Sequence, residues 1–320
     1  MEEQQVPIYV GAIAAGGLVG LIAPGAGPGL EVVINPVLGA LLFVTFLQVP
    51  ARELVRSLRA GRFLGAALVV NFGLAPLVVA ALFGFLPADQ AVRLGVLLVL
   101  LAPCVDYVIV FTGLAGGSAD RLLAATPLLL IAQMLLLPVF LLLFLGSDLA
   151  GIVEAGPFVE AFVVLVVVPL VLAWLTQAWA ARHRSGVRTA EAAGTLMVPL
   201  MVATLLVVVA SQVPELGDDL SAVVAVVPFH VVFLVVMAGL GVAVARLFRL
   251  PVADGRAIVF TGATRNSLVV LPLALALPDA YAAAAVVIVA QTLVEVIGMV
   301  VLVRVVPRLL PRQGSSDSSS

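Results

Sequence analysis

The sequence contains no lysine, one cysteine, two histidines and little charge of either sign: Asp, Glu and Arg together make up 11% of its 320 residues. Each shortage excludes something. Cys104 alone forms no intramolecular disulfide. His183 and His230 supply too few nitrogens for an all-histidine metal site, so no resident metal or cofactor is expected. The formal net charge is −2 and no basic stretch is aimed at a partner, which argues against nucleic-acid binding. Apolar residues take the place of the missing charge. They form 63% of the chain with the 28 glycines counted separately, and mean hydropathy is +1.26. A soluble domain holds ~45–50% apolar residues and ~25% charged ones. The composition is that of a polytopic membrane protein whose first partner is the lipid bilayer.

Apolar runs broken by Gly, Pro and charge predict ten helical spans, near 7–23, 32–50, 63–86, 93–113, 122–145, 158–180, 192–210, 222–245, 257–277 and 283–306. The first run is read as a span and not a signal peptide, because Glu2 and Glu3 stand where a basic segment belongs. Arginine orients the set. Arg52, Arg56, Arg59, Arg62, Arg121, Arg182, Arg184, Arg188, Arg246, Arg249, Arg256, Arg304, Arg308 and Arg312 follow or close even-numbered spans, whereas the opposite loops hold only Arg93 and carry Glu31, Asp89, Asp148, Glu154, Glu160, Glu215, Asp218, Asp219 and Asp279. The positive-inside rule then places both termini in the cytoplasm, with the plasma membrane as the expected location. Residues 1–310 are expected to form one transporter-like unit. The serine-rich 311–320 has nothing to bury and is expected to be a disordered tail.

Two stretches resemble each other at a separation of about 160 residues. One reads A-P-C-V-D-Y-V-I-V-F-T-G-L-A from Ala102 and continues into a span with an Ala-Gln step at Gln133. The other reads A-T-R-N-S-L-V-V-L-P-L-A-L-A from Ala263 and continues into a span with the same step at Gln291. Five spans per half, about 6–146 and 157–307, would enter the membrane from opposite sides. The expected fold is therefore all-α, with ten transmembrane helices in two inverted five-helix repeats and with discontinuous helices 4 and 9 crossing, the plan of many secondary transporters.

Ionisable groups inside spans are costly and are functional candidates by default. Three qualify: Asp106 in span 4, Arg265 in span 9 and Glu295 in span 10. Asp106 and Arg265 can pair and hold the two broken helices together. Glu295 has no obvious second partner and is read either as a proton carrier or as a hydrogen-bonded structural carboxyl. Pro103 removes a helical N–H and frees carbonyls at the break. Gly262-Ala263-Thr264-Arg265-Asn266-Ser267 is too polar for lipid-facing helix and belongs against protein or a wet cavity. Cys104, beside that break, is either a small hydrophobe or a ligand. Thr112, Gln133 and Gln291 are supporting polar residues, and Asn35, Gln48 and Asn71 are expected to bridge helices by hydrogen bonds. Gly65, Gly95 and Gly298 allow close helix contact. No H-E-x-x-H, Asp-rich pair or Ser/His pair is present, so no catalytic residue and no enzyme activity are expected.

The A-P-C…L-A-G-G and N-S…L-V-E-V segments resemble the bile acid/arsenite transporter superfamily, and most closely its arsenite efflux permease branch. That resemblance implies ten helices, a panel domain beside a core domain, crossed helices 4 and 9, a functional cysteine at Cys104 and a functional glutamate at Glu295. In the sodium-coupled bile-acid branch, span 9 carries a Glu four residues before a Gln-Asn-Ser step, and span 4 carries a Ser-Asn pair. Thr261, Arg265, Val108 and Ile109 stand at those positions here, so sodium sites of that type are expected to be absent. Arg265 also differs from the uncharged residue of the arsenite permeases, and is expected to stand in for the missing sodium. The expected function is proton-coupled, sodium-independent export of arsenite or a related small oxyacid. The expected site is Cys104, Asp106, Thr264, Arg265, Asn266 and Ser267, with Glu295 coupling protons. The alternative is an organic-anion carrier in which Arg265 reads the cargo.

Overall fold

The computed structural model describes residues 5–23, 25, 27–47, 61–104, 108–146, 163–212, 216–275 and 277–311, and its regular elements are all helices. In chain order they are α1 (Gln5–Ile22), α2 (Gly27–Leu47), α3 (Gly61–Phe83), α4 (Gln90–Leu100), α5 (Val108–Leu114) and α6 (Ala119–Leu145). After them come α7 (Val168–Ala180), α8 (Arg184–Thr195), α9 (Met197–Gln212), α10 (Leu216–Leu247), α11 (Val252–Ala263), α12 (Ser267–Leu275) and α13 (Ala283–Leu309). The predicted tail from 312 onward, Asp106, Gln48, Arg52, Arg56, Arg59 and Arg312 lie outside the described residues.

Helix occupies part of each of the ten stretches read from the sequence. By length and apolarity, four helical stretches among the described residues can cross a bilayer unaided: Gly61–Phe83, Leu128–Leu145, Val224–Leu247 and Ala283–Leu309. The pair Arg184–Thr195 and Met197–Ser211, bent by 41°, makes a fifth. Two of the remaining stretches are interrupted where polar breaks were expected. At 1.5 Å per residue the 11 residues of α4 rise about 16 Å, half of a hydrocarbon core of ~30 Å. Two expectations need correction. Arg184 and Arg188 belong to helix α8 and not to a loop, and Arg256 lies inside α11, where it is 5% exposed.

Local chemistry sets the ends that matter. Asp89 caps α4, its carboxylate accepting the Val92 N–H at 3.0 Å. Pro103 ends that helix, since it offers no N–H and its ring disfavours helical backbone at Ala102. Pro251 starts α11, and Thr264 leaves it in extended geometry at φ −101°, ψ 150°. Within α3 the backbone widens into a π-turn over Val69–Leu74.

Two sets of helices pack among themselves: α9 lies along α1 and α2 with α7 against α2, while α10 lies along α11 and α13, and α13 along α4. Gly95 lets α4 press on α13, where an added Cβ would stand 2.7 Å from the Ala284 carbonyl oxygen. The outer faces stay apolar, with Leu21 72%, Leu143 73% and Leu247 76% exposed. Such faces are costly in water and suit lipid. The apolar stretch of α13 is mostly buried, whereas that of α6 is mostly exposed, so α13 runs through the interior of its set.

Candidate functional site

The two broken stretches meet at their breaks. Pro103 and Arg265 face each other as an antiparallel bridge. The Cys104 N–H donates to the Thr264 carbonyl at 3.3 Å, and the Asn266 N–H donates to the Ala102 carbonyl at 2.7 Å. Backbone groups released by one break are thus satisfied by the other, as buried amides require. This crossing is where Cys104, Thr264, Arg265, Asn266 and Ser267 come together, each at most 1% exposed.

Among the described residues Arg265 is the largest fully buried side chain. Its Nη2 donates to Asn71 Oδ1 at 3.0 Å, to the Thr261 carbonyl at 3.2 Å and to the Gly262 carbonyl. Its Nη1 reaches the Leu100 carbonyl at the end of α4, at 3.3 Å. The guanidinium carbon sits 5.1 Å from the centre of the Phe233 ring on α10, within cation–π range. The pairing expected with Asp106 lies outside the described residues, and the carbonyl contact to span 4 is made by Leu100.

Glu295 is held at the crossing by hydrogen bonds. Buried on α13, its Oε2 accepts the backbone N–H of Arg265 at 2.7 Å and also the Gln291 amide, so the carboxylate is well partnered. Gln291 lies one helical turn before Glu295, whereas the Arg265 donor is main chain and carries no sequence signal.

The polar residues divide. Asn266 caps α12, its Oδ1 taking the Val269 N–H at 3.2 Å, and Thr264 Oγ1 donates back to Phe260 at 2.8 Å. Among the described residues no hydrogen-bond partner meets Asn266 Nδ2, Ser267 Oγ, Gln291 Oε1, Arg265 Nε, Gln133 Oε1 or Thr112 Oγ1. The first four sit on or beside the crossing. Thr112 does not: it packs by Gly117 and Ala257, and Ala257 precedes Arg265 by eight residues, roughly 12 Å of helix rise. No described contact ties Gln133 to the crossing.

Asn71 is the residue that sequence reading undervalued. It sits in the π-turn of α3, a distortion often found at functional sites. Its amide donates to Thr261 Oγ1 at 3.1 Å and to the Ala67 carbonyl at 3.0 Å, which turns its oxygen toward Arg265. The only sequence signal was an amide inside an apolar run. A second cluster also went unread. Buried Asp254 accepts from Ser118 Oγ at 2.6 Å and pairs with Arg121 at 2.7 Å, beside Arg256.

Apolar helices that break and cross inside the protein, with buried charge at the crossing, are features of membrane transporters. The family model for the SBF-like CPA transporter family matches residues 18–309, and the chain belongs to that family. The match supports the superfamily resemblance, which is bile acid:sodium symporter-like, and does not single out the arsenite permease branch. No curated protein matches the chain.

Proposed function

We propose that the protein is a proton-coupled, sodium-independent secondary transporter with Glu295 as the proton-carrying group. The observation that carries this reading is the bond from the Arg265 backbone N–H to the Glu295 carboxylate. A proton on that oxygen weakens its hold on the one segment of span 9 that is not helical, so protonation is coupled to the geometry of the crossing. Ten spans in two inverted repeats, a panel and a core, and cytoplasmic termini at the plasma membrane complete the proposal. The arginine distribution and the paired breaks support it.

The proposed cargo is a small uncharged oxyacid, with arsenite as the leading case and export as its direction. Two features support this. Cys104 offers a thiol beside the crossing, and the Arg265 guanidinium is already engaged by protein oxygens, which disfavours the organic-anion reading. Reconstituted Glu295→Gln is expected to lose pH-driven transport while exchange of cargo persists. Unchanged pH-driven transport in that variant would move the proton elsewhere. Cys104→Ser is expected to abolish arsenite resistance with membrane insertion intact, and undiminished resistance would remove arsenite from the proposal.

A further inference from the structure

We propose that the pocket between the start of α3 and the end of α10 binds the phosphate headgroup of an anionic phospholipid. Arg62, Leu247, Phe248 and Arg249 line it, around a volume of about 550 Å³. That lies within the ~300–1,000 Å³ usual for small-ligand sites. Its position fits a lipid. The stretches Gly61–Phe83 and Val224–Leu247 are each long and apolar enough to cross a bilayer, and one begins and the other ends at this pocket. Both arginines therefore stand where the chain leaves the hydrocarbon, at headgroup depth.

Backbone geometry builds the arginines into the pocket. At the end of α10 the Arg249 N–H donates to the Arg246 carbonyl at 2.9 Å, and the Leu250 N–H donates to the Ala245 carbonyl at 3.0 Å. That pair of bonds is a Schellman cap, whose left-handed residue is most often glycine. Here it is Arg249, at φ 48°, alone among the described non-glycine residues in having a positive φ. A long side chain is disfavoured in that conformation, so this cap gives up some stability to carry a guanidinium. Arg62 ties the two helix ends together. Its Nε donates to the Phe248 carbonyl at 3.0 Å and its Nη2 to the Arg249 carbonyl at 2.5 Å. The Phe248 ring rests on Gly65, where an added Cβ would lie 3.3 Å from Cε1. These acceptors are neutral. The α3 helix carries no acidic residue and α10 none after Asp219, and among the described residues neither arginine forms an ion pair. Two positive charges lining one pocket without a carboxylate suit an anion, and a guanidinium matches phosphate oxygens with paired donors.

An acyl chain has a lane beside them. Val232, Val235, Gly239, Ala243 and Leu247 recur every three or four residues on the exposed side of α10. Gly239 and Ala243 make the lane shallow, and nothing lies within 4 Å of where a Cβ at Gly239 would stand. A soluble phosphate would use the arginines alone, whereas a phospholipid uses both parts. The helices concerned also reach the crossing, since α3 carries Asn71 and α10 carries Phe233 to Arg265. A headgroup that bridges their ends stabilises the folded state by binding it.

Thermal unfolding in mixed micelles tests this without reference to cargo or proton. Wild type, Arg249→Gly and Arg304→Gln are compared with phosphatidylglycerol, phosphatidylcholine or soluble glycerol phosphate added at matched ionic strength. Arg304 is an exposed arginine near the end of α13 that does not line the pocket, so its variant loses the same charge elsewhere. Wild type is expected to melt several degrees higher in phosphatidylglycerol than in phosphatidylcholine, and the shift should saturate. Arg249→Gly is expected to be at least as stable as wild type in phosphatidylcholine, because glycine suits the left-handed cap, and to lose most of the shift. Arg304→Gln is expected to keep it. Equal melting of the wild type in the two lipids overturns the inference. So does an equal loss of the shift in Arg304→Gln, which would mean diffuse surface charge. A full shift from glycerol phosphate overturns it too, since the site would then need no lipid. If Arg249→Gly does not accumulate, Arg249→Asn takes its place, because asparagine also tolerates this backbone. Failure of both to accumulate would show that the guanidinium holds the fold itself, and also overturns the inference.

Discussion

Two buried arginines nine residues apart, Arg256 within α11 and Arg265 just past its end, do similar local work in different company. Each holds carbonyls left open by the ends of helices. Arg256 reaches Ala115 at 2.8 Å and Leu310 at 2.8 Å, joining the turn after α5 to the end of α13. Arg265 reaches Leu100, Thr261 and Gly262. What differs is what lies next to them. Beside Arg256, the polar atoms of Asp254 and Ser118 are satisfied, and Arg121 opens to the surface with half its side chain exposed. Beside Arg265, a buried glutamate grips the backbone and several amide and hydroxyl atoms have no described partner. A saturated cluster fixes structure. An unsaturated one next to a titratable group is where something can bind or change.

The sharpest way to break this comparison is to remove each cation. Arg265→Leu orphans the oxygens that accept from it and leaves Glu295 without its neighbouring charge, and is expected to cost about 3–5 kcal/mol, the range for breaking a buried charge network. It should also abolish transport by whatever protein remains folded. Arg256→Leu is expected to cost less, about 2–3 kcal/mol for lost bonds to a charged donor, and to leave transport per folded molecule unchanged. Denaturation in mixed micelles and flux normalised to folded protein check both. Equal loss of normalised flux in the two variants would erase the distinction between the clusters.

A smaller effect sharpens it. Asn71→Leu removes one acceptor of Arg265 and is expected to cost about 1–3 kcal/mol for the donors left unsatisfied. Asn71→Asp restores the acceptor and adds charge opposite the guanidinium, and should recover part of that loss. An Asn71→Leu protein as stable as the wild type would mean that the π-turn contributes nothing to holding Arg265.

The membrane class, the two breaks and the buried positions of Arg265 and Glu295 were legible because each rests on composition or on a local rule. Pro103 stops a helix wherever it stands, and T-R-N-S cannot face lipid. The partners were not legible. Asn71 lies 194 residues from Arg265, and nothing in V-V-N-F-G-L marks a π-turn. Glu295 showed no obvious charged partner, and one of its donors is a backbone N–H, which every residue carries. Arg256 was counted with the loop arginines because the positive-inside pattern reads the same whether a guanidinium meets water or caps two chain ends. The tally of spans by length fails at α4 and α5 because the stretch read as span 4 holds two short helices, Gln90–Leu100 and Val108–Leu114, on either side of Pro103.

The smallest expected effect is at Asp254. Its carboxylate is buried, but the guanidinium it meets belongs to Arg121, half of which faces the surface. Water and salt screen such a pair, so its Coulomb contribution is set by the exposed partner. Asp254→Asn keeps an oxygen for the Ser118 hydroxyl and loses only the charge, and is expected to cost about 0.5–1 kcal/mol. The loss should shrink as salt is raised, because the wild type loses the same attraction by screening. Stability of wild type and variant is measured across a salt series. A loss as large as that of Arg256→Leu, and independent of salt, would show that Asp254 acts as a buried charge in its own right. The rim cluster would then have to be treated as a second charged centre, and Arg256 would no longer serve as the structural reference for Arg265.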